Sequence, residues 1–170
     1  MKSWRTLIGL GILIGLVLGL LDHAGAAPLP QGGSIPSIVI NEIMQNPAAV
    51  SDANGEWFEL YNAGDTDVDI NGWTIRDNDS DSHTIDNGGP LIIPAGGYLV
   101  LGRNGDPNTN GGVAVDYVYS SFILANGDDE IILLDGDNVE IDRVEYDGGP
   151  EFPDPNGASM ELIDPALDNN

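Results

Sequence analysis

From Ile38 onward, short apolar runs recur at roughly ten-residue intervals between clusters of Gly, Asn, Asp and Pro. No window sustains apolar residues at i, i+3 and i+4, so a helix built from this chain would have no continuous stripe to bury. Strands need only alternate residues on one face, and the runs are long enough for that. The expected strands are Ile38–Met44, Glu56–Tyr61, Val68–Ile70, Trp73–Arg76, Leu91–Ile93, Tyr98–Leu101, Tyr117–Leu124, Glu130–Leu134 and Val139–Tyr146. DGDN, Asp135 to Asn138, supplies residues that tolerate positive φ and closes the clearest hairpin. Apolar parity breaks across Asn71-Gly72, and again between Ile141 and Val144, which places a bulge or a strand break at each. This pattern reads as an all-β chain, a sandwich of two sheets.

The N-terminus obeys other rules. Lys2 and Arg5 precede an uncharged run from Leu7 to Leu21, and AGAAP follows. That is the form of a secretory signal peptide, with Ala24 and Ala26 fitting cleavage after Ala26. The run is shorter than the roughly 20 residues that cross a bilayer as a helix, so membrane contact is expected only through an uncleaved anchor. The expected organisation is a signal peptide over 1–26, a flexible Pro/Gly leader over 27–37 and one domain over 38–170, secreted or held at the cell surface. With no cysteine, an exported domain of this kind depends on packing and not on disulfides.

Charge narrows the partners. The chain carries 28 carboxylates against 5 basic side chains, a net charge of −23, and beyond residue 26 it has no lysine. Such a surface repels phosphate backbones, which argues against direct nucleic-acid binding. It suits a saline medium that screens self-repulsion, or one containing calcium.

IVINEIMQNP, GEWFELYNAGD and VDINGWTIRD follow one another between Ile38 and Asp77. In that order and spacing they resemble the lamin tail domain family, as LIIPAGGYLVLG, ANGDDEIILLDGDNVEIDRVEY and NGASMELIDPALDNN do further on. The chain looks like a secreted, prokaryotic-type member. The resemblance implies an immunoglobulin-like β-sandwich without a disulfide, whose signature includes the positions of Glu42, Trp57, Glu59, Asn62, Gly72 and Trp73, with Glu56 in the same stretch. Relatives often close the sandwich with a further tryptophan-bearing strand, so a C-terminal edge is expected to be open after the Asp-Asn run.

The same residues, taken as chemistry, lead to the same place. On a strand, Trp57, Glu59 and Tyr61 share one face while Phe58 and Leu60 share the other, which is free to pack inward. Glu59 and Glu42 are then expected to accept hydrogen bonds as parts of the fold and not to act as an acid/base pair. His83 in the polar loop DNDSDSHT is expected to face solvent, and no G-x-S-x-G elbow and no cysteine suggests a nucleophile for it to serve. Trp57 and Trp73 are expected to pack against strands and not to form a sugar platform. Asp77, Asp79 and Asp81 have the alternate spacing that opens an EF-hand loop, but Ser82 stands at position six and Gly88 at position twelve, where Gly and Glu are required. Calcium is the one cofactor these residues allow, and no catalytic residue is expected.

The expected function is a non-catalytic exported module that binds an extracellular or surface protein. The alternatives are an accessory domain of an extracellular nuclease or phosphatase whose catalytic part lies elsewhere, and a calcium-dependent adhesion module. No heptad-bearing rod is present, so a filament role does not carry over.

Overall fold

The structure is a computed structural model and describes residues 4–7, 38–154, 156–166 and 169. The leader 27–37 and most of the expected signal peptide lie outside them.

In chain order the elements are β1 (Trp4–Leu7), β2 (Ile38–Met44), a single helical turn α1 (Asp52–Gly55), β3 (Trp57–Asn62), β4 (Val68–Asp69), β5 (Thr74–Arg76) and β6 (Ser82–Thr84). They continue with β7 (Ile92–Ile93), β8 (Tyr98–Gly102), β9 (Tyr117–Val118), β10 (Asp128–Leu134), β11 (Glu140–Asp147) and β12 (Ser159–Leu162). Six strands form one sheet in the order β1-β12-β2-β3-β8-β9, and four form a second, β11-β10-β5-β6. A two-stranded ribbon, β4-β7, is paired into neither. This is the all-β, immunoglobulin-like sandwich.

Alternation builds the core. On β3, Phe58, Leu60 and Asn62 are fully buried while Trp57, Glu59 and Tyr61 are half-buried on the opposite face. Phe58 packs against Tyr119 at 5.7 Å and Phe122 at 6.4 Å between ring centroids, separations at which tilted and edge-on rings attract. Ile75, Ile131, Leu133 and Val144 bring the second sheet onto that layer.

Both parity breaks have a structural cause. Between Ile70 and Trp73 the chain turns, with the Trp73 N–H donating to the Ile70 carbonyl at 3.1 Å. Gly72 occupies that turn at φ +86°, a conformation that costs a side-chain-bearing residue more than glycine. In β11 the register against β10 skips Ile141, so Asp142, Val144 and Tyr146 point inward.

Two expectations are corrected. Tyr117–Leu124 is not one strand: pairing ends at Val118, and Ser121 at φ 57° breaks the ladder, although Tyr119, Phe122 and Leu124 remain buried. DNDSDSHT is not a plain loop, because Ser82–Thr84 pairs with Thr74–Arg76 as a hairpin. In the full chain Trp4, which falls within the expected signal peptide, stands in β1 against β12.

Candidate functional site

The motif carboxylates occupy the outer face of the six-stranded sheet and the seam beneath it. Glu161, Glu42 and Glu59 stand opposite one another on β12, β2 and β3, a row of like charges across three neighbouring strands. Each of the inner two has a donor: the Ser159 hydroxyl binds Glu42, and Asn41 Nδ2 donates to Glu59 Oε1 at 2.9 Å. Burial pushes both carboxyls above their ordinary range, and repulsion from Glu161 adds to it.

Glu56 is the deepest, at 1% exposure. Its Oε2 accepts from Arg103 Nη1 and from the Leu124 N–H, each at 3.1 Å, and its backbone carbonyl accepts the Arg103 N–H. Burial raises this carboxyl too, and Leu124 and Arg103 hold it back. Asn62 uses its whole amide: Nδ2 donates to the Thr66 and Ile93 carbonyls, and Oδ1 accepts the Gly64 N–H. These bonds tie neighbouring strands and loops together, with one oxygen of each glutamate accepting from a protein donor.

Trp57 and Trp73 do not form a platform. Trp57 lies on the outer face of β3, whereas Trp73 enters the other sheet and packs against the core. A cleft of about 160 Å³ opens beside Trp57, and Met44, Pro47, Val50, Asn110 and Val113 are among its walls. None of its lining residues is titratable or nucleophilic.

His83 is a correction. It is half-buried in β6, with Nε2 2.8 Å from the Tyr117 hydroxyl, and Nδ1 accepts the Ser120 N–H at 3.4 Å. Nδ1 therefore carries no proton and Nε2 donates to Tyr117. Burial lowers the His83 pKa.

Asp77, Asp79 and Asp81 are only partly brought together. Asp77 Oδ1 accepts the Asp81 N–H at 2.9 Å, which closes the β5–β6 turn, while Asp79 is exposed at its bend. Among the described residues no group of three His, Cys, Asp or Glu side chains is arranged to hold a metal ion. We expect calcium and magnesium at equal ionic strength to give the same melting temperature, in the native chain and in Asp79→Asn/Asp81→Asn alike. A rise specific to calcium and lost in the variant would place a site at this turn.

Two structural residues gave no direct sequence signal. Asp142, buried on the inward face of β11, accepts the Ile40 N–H and Asn169 Nδ2, both at 2.7 Å. The Tyr119 hydroxyl, close to Glu56 and Arg103, is buried with no hydrogen-bond partner among the described residues, and burial pushes its pKa well up. Tyr119→Phe removes that uncompensated group without changing the ring, so a gain of about 1 kcal/mol in urea unfolding is expected.

Stability should also respond to pH in a definite direction. For Glu42, Glu56, Glu59 and Asp129 the folded pKa lies above the unfolded value, burial being the first cause in each. The folded state then binds more protons in that window, and stability rises as pH falls from neutral toward 4.5. Relief of the −23 charge acts the same way. His83, with its lowered pKa, opposes this below its ordinary value of 6.5. Asp106 and Asp147, lowered by backbone hydrogen bonds, lose their contribution as pH falls through the acid range. The melting temperature is expected to peak near pH 5 and to be lower at pH 7, and a maximum at or above pH 7 would contradict this balance.

The comparison with protein families matches residues 32–148 to the Lamin Tail Domain. No curated protein matches the chain. Strand β12, at Ser159–Leu162, lies beyond the matched residues.

Proposed function

Because the chain belongs to the lamin tail domain family, a family of non-catalytic immunoglobulin-like domains, we propose that it is an exported, non-catalytic module that binds a protein partner outside the cytoplasmic membrane. One observation supports this above the others: Glu42, Glu56 and Glu59, the carboxylates nearest to an acid/base arrangement, are each held by donors from neighbouring segments. The described cleft, by contrast, offers no reactive side chain. The basic n-region, apolar run and Ala-x-Ala site support export. Among the described residues no helix is long and apolar enough to cross a membrane.

The test is cross-linking on intact producing cells with a membrane-impermeant reagent. The reagent must couple carboxylates, because no lysine follows Lys2. A discrete adduct with one extracytoplasmic protein, abolished by excess purified domain, is the expected result. A chain inaccessible to the reagent, or purified domain that hydrolyses phosphodiesters or phosphomonoesters, would overturn the reading.

A further inference from the structure

The edge of the six-stranded sheet at β12 is covered by four residues far away in sequence. β1 pairs antiparallel with β12 in the register Trp4 to Leu162, Arg5 to Glu161, Thr6 to Met160 and Leu7 to Ser159. The fit is specific at two positions. The Trp4 indole turns inward to 6% exposure, 6.1 Å from the Phe152 ring, and Nε1 donates to the Asn169 carbonyl at 2.9 Å. Arg5 turns outward, its Nε 2.7 Å from Glu161 Oε2. Beneath them Met160, Leu162 and Phe152 are buried with this cover in place. Without it the edge would present unpaired backbone groups above an apolar floor, the condition in which a sheet recruits a strand.

We propose that the outer edge of β12 is a strand-acceptor groove, and that its occupant in the exported protein is an extended partner segment carrying a tryptophan followed by a basic residue. The proposal rests on the export reading, under which residues 1–26 leave and the place of Trp4–Leu7 falls vacant. The backbone ladder supplies generic affinity, and alternate side chains supply choice. The inward position takes an indole because it offers both an aromatic neighbour and a carbonyl acceptor for the N–H. The outward position takes a cation because Glu161 stands there, on a chain of net charge −23. In the unprocessed chain the N-terminal segment occupies the same groove, so removal of that segment would open it.

The full chain tests this without relying on export. Labelled peptide SWRTLIG, the chain's own sequence supplied in trans, is titrated in mild detergent into the native chain and into Trp4→Ala/Arg5→Glu, whose own segment no longer fits. The tethered native segment competes at an effective concentration on the order of millimolar, so binding to the variant should be at least about tenfold tighter. Adding Glu161→Lys should weaken the native peptide about tenfold, and a peptide with Glu at the Arg position should recover the loss. Arg5→Glu alone, which keeps the indole, is the second variant should the double one unfold, and the same ranking is expected. Equal binding to native and variant chains, binding to neither, indifference to residue 161, or pairing of two chains through β12 in place of peptide uptake would each overturn the groove. Export itself is tested by the N-terminus of the native polypeptide, so failure of the groove and failure of export are distinguished.

Discussion

Glu56→Ala is expected to lower the unfolding free energy by about 3 kcal/mol, the range for breaking a buried ion pair from one side. The carboxylate is 1% exposed, and it binds the Arg103 guanidinium and the Leu124 N–H. Alanine strands both donors. Arg103 retains a quarter of its side-chain exposure and recovers some hydration, which keeps the loss from the upper end. Glu56→Gln retains an acceptor for Leu124 and should cost about half as much. In an Arg103→Ala background the further loss from Glu56→Ala should shrink, because the two residues share one interaction. Urea unfolding of the four variants reads all of this. Unchanged stability in Glu56→Ala would leave a buried acid without a structural purpose and would reopen the catalytic question.

Asp142→Ala should cost a comparable amount, about 2–4 kcal/mol, for a different reason. Its carboxylate links the two sheets: from β11 it accepts the Ile40 N–H of β2 at 2.7 Å. Ile40 lies where β2 shifts register against β3, so a side chain and not the neighbouring strand meets that N–H. The same oxygen accepts Asn169 Nδ2, which fastens the C-terminal segment near Trp4. Alanine orphans two buried donors. Asp142→Asn, with an amide oxygen in the same place, should be milder at about 1 kcal/mol. Amide exchange at Ile40 distinguishes this from a general loss of packing: it should accelerate in Asp142→Ala beyond the amides of β8, and uniform acceleration would argue against a specific link.

What could be read from the sequence followed from period and chemistry. The inward face of β3 was legible because Phe58 and Leu60 alternate with Trp57 and Glu59, and the hydrogen bonds accepted by Glu42 and Glu59 followed from strand position. Asp142 left a trace that was half-read. The parity break between Ile141 and Val144 allowed a bulge or a strand break, and a bulge there turns residue 142 inward, but pattern alone cannot show that an acid would find a partner on another sheet. Arg103 left none: it lies 47 residues from Glu56, and no spacing rule joins a loop arginine to a distant strand end. His83 was misread because Asp and Ser around it are turn formers, whereas β5 supplied a ladder for Ser82–Thr84 and Tyr117 a hydrogen-bond partner. The place of Trp4 could not be read from targeting logic, which says where a segment is sent and not what it touches in the full chain.

The most direct measurement is the N-terminal sequence of the native polypeptide, taken from the medium, the membrane fraction and the cytoplasm of producing cells. An exported module with a vacated β12 edge requires a chain beginning at Ala27, found outside the cytoplasm. A cytoplasmic chain that keeps Trp4–Leu7 would contradict export and leave the groove permanently filled by its own strand.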